Sequence, residues 1–112
     1  MIYRLLGTVG IIYKDREWSM KLFESIVEQL PRELISCVHR SSKECECILT
    51  TGDVIRTKFA GDVKGLRFNR AFIEESVTGE DLHDVYSCMI SSVSTVHDGD
   101  RVVIDSKPIV DK

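Results

Sequence analysis

The sequence predicts a single α/β domain over residues 1–112, with a mixed, partly parallel sheet, an inserted β-hairpin and two amphipathic helices. Three observations predict it. Two stretches, 18–30 and 82–93, carry apolar residues at helical spacing. Short runs rich in β-branched and aromatic residues alternate with them. Between the two stretches, a pair of such runs is joined by Thr51-Gly52-Asp53, a turn that signals a hairpin. Strands that alternate with helices favour parallel pairing in a sheet covered by those helices.

Thr8-Val9-Gly10-Ile11-Ile12-Tyr13 reads as a buried strand. Lys14-Asp15-Arg16-Glu17 breaks it, and Asp15 has the side chain of a helix N-cap. Trp18, Leu22, Phe23, Ile26, Val27 and Leu30 then share one helical face, with Trp18 expected as a core anchor, and Pro31 ends the helix. Leu34–Val38 is strand-like, and Ser41-Ser42-Lys43 is a loop. Cys45–Thr50 and Val54–Phe59 form the hairpin, with Ile55, Thr57 and Phe59 on one face and Arg56 and Lys58 on the other. A polar loop, Gly61–Gly65, leads through Leu66–Asn69 to a short strand, Arg70–Ile73, that stops at Glu74-Glu75. Thr78-Gly79-Glu80-Asp81 has the pattern of a capping box before the second helix, whose stripe is Leu82, Val85, Tyr86, Met89, Ile90 and Val93. His97–Asp100 is a turn, Arg101–Asp105 a buried strand, and Ile109–Lys112 a frayed tail.

Composition narrows the function. Hydrophobic residues at 43% suffice for a folded core, so the chain is not disordered. A formal charge of −3 argues against a protein that coats nucleic acid. No run spans a bilayer, and Met1–Leu6 is too short for a signal peptide, so the expected compartment is the cytoplasm with reduced thiols. The four cysteines contain no C-x-x-C pair. Cys37 and His39, with Cys45 and Cys47 on an adjacent strand, could converge on a metal; the plainer expectation is small hydrophobes on a sheet face, with no metal and no cofactor.

From residue 45 to 108 the order of elements carries a resemblance. A Gly-turn hairpin is followed by "AGDVKGLRF", a strand ending in two acids ("NRAFIEES"), a helix, and a strand ending "RVVIDSKP". This resembles the ATPase core of phage terminase large subunits and helicase-like P-loop NTPases. The resemblance implies a reduced P-loop-NTPase-like fold and a phage or mobile-element origin. It places Glu74 at the magnesium-binding acid, Glu75 at the water-activating glutamate, and Ser106 and Pro108 on the coupling motif. Two departures stand against catalysis. The magnesium acid is Glu rather than Asp, and no G-x-x-x-x-G-K-[ST] loop is present to hold a triphosphate.

Three functions follow. The preferred one is a small non-catalytic protein, a regulator or inhibitor acting by protein–protein contact through the hairpin 45–59 and the loop 61–69, with homodimerisation through an exposed hairpin edge. The second is an ATPase accessory subunit that takes its P-loop from a partner, with Glu74 and Glu75 catalytic. The third is a nucleic-acid-binding accessory protein using Arg56, Lys58, Lys64, Arg67 and Arg70, the densest basic group in the chain. No aromatic platform interleaves with those cations, and a solvated sheet face is their commoner role. His83 among Asp81 and Asp84 reads as a solvated helix start, and Cys88 as part of the core.

Overall fold

The computed structural model describes residues 7–90 and 93–106. Pro108 and the 109–112 tail lie outside the described residues, as does the start, 1–6. Seven strands form one sheet in the order β2-β3-β4-β1-β5-β7-β6. They are β1 (Thr8–Tyr13), β2 (Ile35–Arg40), β3 (Cys45–Leu49), β4 (Val54–Phe59), β5 (Arg70–Glu74), β6 (Val93–Asp98) and β7 (Arg101–Ser106). β1 runs parallel to both β4 and β5, and the remaining pairs are antiparallel. The sheet is therefore mixed, as expected, with three parallel strands at its centre.

β1 is central because it is apolar on both faces. Val9 and Ile11 join one core with Leu22, Phe23, Cys45, Cys47, Leu49 and Ile55. Ile12 joins the other with Val63, Phe68, Ala71, Ile73, Val85 and Ile104. Helix α1 (Arg16–Gln29) covers the first face, over β1, β4 and β3. It begins where expected: the Asp15 carboxylate accepts the Glu17 backbone N–H at 3.0 Å. Helix α2 (Gly79–Ser87), with the segment 60–69, covers the second face over β1, β5 and β7.

Each helix covers half of the sheet. Ile48 and Val54 on β3 and β4, and Val96 and Val103 on β6 and β7, belong to neither core. Alternation places Ile48 and Val54 on the α2 side, beyond α2, and Val96 and Val103 on the α1 side, beyond α1.

Three expectations are corrected. The second helix ends at Ser87, and Val93 opens β6, which pairs with β7 through the two-residue turn Gly99-Asp100. Gly99 has φ +65°, the left-handed conformation that such turns require. The apolar stripe breaks at 88–90 because this segment pairs instead with Phe68: the Phe68 N–H donates to the Cys88 carbonyl at 2.8 Å, and the Ile90 N–H to the Phe68 carbonyl at 3.1 Å. The capping box does not form, since the Thr78 side chain makes no cap bond. The hairpin β3–β4 has no free edge, because β3 also pairs with β2 and β4 with β1. Among the described residues the edge strands of the sheet are β2 and β6.

The Phe68 ring lies directly on Gly10, and a Cβ there would stand 2.6 Å from its Cε1. Phe68 is fully enclosed and Gly10 is buried, so neither can yield without opening the second core. Gly10→Ala should lower unfolding free energy by about 1–3 kcal/mol, the usual range for overpacking, in urea denaturation with an unchanged m-value.

Candidate functional site

In an open sheet with parallel strands, ligands bind outside the carboxyl ends, where neighbouring connections leave to opposite faces. Here such points lie on both sides of β1, because the 60–69 segment after β4 and α2 after β5 both take the face opposite α1, and the β1–β5 point is the one that holds Glu74. α1 leaves β1 on one face, and α2 leaves β5 on the other.

The crevice is closed by the protein's own carboxylate. Glu74, the last residue of β5, accepts the backbone N–H groups of both Lys14 and Asp15 on one oxygen, each at 2.8 Å. Those amides form the two-residue link from β1 to α1. An anion would meet the same amides at a helix N-terminus. Glu74 takes that place, and the link is too short to form a cradle around a phosphate. Lys14 Nζ lies 3.9 Å from an Asp81 oxygen at the start of α2, and so ties the two helix origins together. Glu75 is exposed, with its backbone N–H on the Asp100 carbonyl at 3.0 Å. Among the described residues, no three His, Cys, Asp or Glu side chains are placed to hold a metal ion.

Beside the crevice, Trp18 is half-buried and packs against the α1-side core, as expected. Its indole N–H donates to Asp100 at 3.0 Å, across to the β6–β7 turn. Arg101 Nε donates to the other Asp100 oxygen at 3.2 Å. The Trp18 bond first, and then the Arg101 bond, hold the Asp100 carboxyl below the ordinary aspartate range.

The coupling-motif position is at the wrong end. β7 is antiparallel to β5, with Glu74 opposite Arg101 and Arg70 opposite Asp105. Ser106 therefore sits at the far end of the sheet from Glu74, about 17 Å away at 3.4 Å per residue. Its backbone N–H donates to the Asn69 carbonyl at 2.8 Å. The antiparallel β7, the short β1–α1 link and the occupied amides together leave the P-loop NTPase resemblance unsupported.

The basic group also disperses. Parallel register aligns Val9 with Ile55 on one side and with Arg70 on the other, so Arg70 shares the face of Ile55, opposite Arg56 and Lys58. Arg56 donates to Glu46 at 2.9 Å, Lys58 to Glu44 at 2.6 Å, and Arg70 to Asp105. Lys64 and Arg67 stand exposed on the loop before β5, without an ion pair among the described residues.

The cysteine cluster is divided by the sheet. Cys45 and Cys47 are buried beneath α1, whereas Cys37 and His39 point to the opposite side, with Sγ and Nε2 3.6 Å apart. All four cysteines are free thiols. Burial pushes the Cys47 and Cys88 thiols up, so both favour the protonated form, and Cys88 donates to the Val63 carbonyl at 3.1 Å.

No family model, no curated protein and no solved structure matches this chain.

Two outcomes test the crevice. Glu74→Ala leaves two amides without their acceptor and should cost about 1–2 kcal/mol, with a smaller loss for Glu74→Gln, which keeps a carbonyl acceptor. Both are read by chemical denaturation. Asp100 titrates at lower pH folded than unfolded, so its contribution is complete above about pH 4 and is lost as pH falls through the depressed folded value. Trp18→Phe should flatten that acid limb in Tm measured against pH.

Proposed function

We propose that this chain is a non-catalytic binding protein that acts through protein–protein contact, and that the contact surface is the α2-side face of β2, β3 and β4. One observation carries this reading: the face holds partly exposed apolar side chains, Ile48 and Val54, flanked along β4 by Arg56 and Lys58, which are already paired with Glu46 and Glu44. A small apolar centre with a mixed, nearly neutral rim suits a protein surface. A phosphate backbone calls for unpaired cations on one side, and here Arg56 and Lys58 are neutralised while Arg70 faces away. The loop bearing Lys64 and Arg67 packs through Val63 and Phe68 over the adjacent part of this face, where it borders the patch.

The ATPase-accessory reading has less support. It needs Glu74 on magnesium, and Glu74 is engaged by the amides of Lys14 and Asp15.

An immobilised chain should retain a protein from a lysate of its own cells. Ile48→Asp should abolish retention while leaving the circular dichroism spectrum and Tm within a few degrees of the wild type. Magnesium-ATP titrated calorimetrically into the same preparation should give no binding heat. A micromolar ATP isotherm that Glu74→Ala removes would favour the ATPase reading instead.

A further inference from the structure

The other half-covered region lies at β6, and it has a different character. Among the described residues β6 pairs with β7 alone, so along Val93–Asp98 one side of its backbone is an open edge among them. Proteins usually guard such edges with a bulge, a proline or an inward charge. The opposite edge, β2, has guards: a register shift between Ile35 and Cys37, and Arg40 clamped on Glu24 at 2.6 and 2.8 Å. β6 reads Val-Ser-Thr-Val-His-Asp, with no bulge, proline, lysine or arginine.

The face next to this edge is ordered in rows. Strand register on the α1 side aligns Phe72, Val103 and Val96 into one apolar row. On one flank lies Arg70–Asp105–Ser94, and on the other Glu74–Arg101–Asp98. Phe72 packs at the margin of the α1 core, and the row then runs outward to Val96, which is 58% exposed at the very edge. Val96 turns away from α2, since its neighbour Thr95 meets the Tyr86 hydroxyl at 2.9 Å on the α2 side.

We propose that the chain self-associates through β6, two copies adding antiparallel about a two-fold axis to make one continuous sheet. Residues directly opposite in such a pair must point to the same face, which limits the registers. Setting Val96 opposite the partner's Val96 continues the apolar row through both copies. It also sets Ser94, a hydroxyl donor, opposite the partner's Asp98, and no like charges face one another. Shifting to Thr95 on the partner's Thr95 would set Val96 against Ser94 and break the row. A two-fold contact demands a self-complementary surface, and this register supplies one. The inference is independent of the contact face proposed above, which lies at the other end of the sheet on the opposite side.

Sedimentation equilibrium of the full chain over a wide concentration range tests it. The expected species has twice the 12.7 kDa chain mass. Val96→Lys sets two cations face to face and should raise the dimer dissociation constant at least tenfold, with an unchanged circular dichroism spectrum. Val96→Cys should form a covalent dimer on mild oxidation, because the residue faces its own copy. Ser94→Cys and the wild type should not. A monomer at every concentration overturns the proposal. So does a dimer that Val96→Lys leaves intact, or cross-linking through Ser94→Cys in place of Val96→Cys. The Ile48→Asp chain should still dimerise, which separates this result from failure of the functional reading.

Discussion

β1 is six residues long and must be covered on both sides, and the rest of the architecture follows from how that is done. Val9 and Ile11 point one way, and Ile12 points the other with Gly10 beneath the Phe68 ring. A strand buried on both faces needs a partner on each edge and a layer on each side. β4 and β5 supply the edges in parallel. Parallel pairing forces crossover connections, and these bring α1 to one face and the 60–69 segment with α2 to the other. The glycine is as necessary as the apolar residues, because the second layer approaches β1 too closely for a Cβ.

The same crossovers determine what the carboxyl end can do. Connections diverge between β1 and β5, which in this architecture opens a ligand crevice. The link from β1 to α1 spans only Lys14 and Asp15, and the Glu74 carboxylate takes its amides. Chemistry that the topology would permit is spent on joining β5 to the start of α1. Surface for recognition remains where each helix fails to reach: beyond α2 over β2–β4, and beyond α1 over β7 and β6.

Much of the fold was legible in the sequence wherever the determining contacts were local. β1, the Asp15 cap, the hairpin around Gly52 and the strands at 70 and 101 follow from runs and turns a few residues long. The stripe from Leu82 to Val93 misled because the spacing of Val93 fits a helix as well as a strand. Only the partner strand β7 decides between them, although Asp98-Gly99-Asp100 between two β-branched runs is a hairpin signal in its own right. The candidate site was less legible. The abrupt acidic end of β5 is plain in the sequence, but the amides that Glu74 binds lie about 60 residues earlier. The basic group looked continuous because sequence order cannot show that β1 aligns Ile55 and Arg70 on one face.

That distance in sequence has a consequence during synthesis. Both partners of β1 are encoded far downstream: Val9 aligns with Ile55 and with Arg70. At 5–20 residues per second, roughly 3–12 s separate the emergence of β1 from that of β5. Throughout that interval Val9-Gly10-Ile11-Ile12 is an apolar segment with at least one unsatisfied edge, even after β4 has emerged to pair with the other. The nascent chain therefore passes through a stage in which its central strand still has an open edge, and this is the segment that a chaperone would hold.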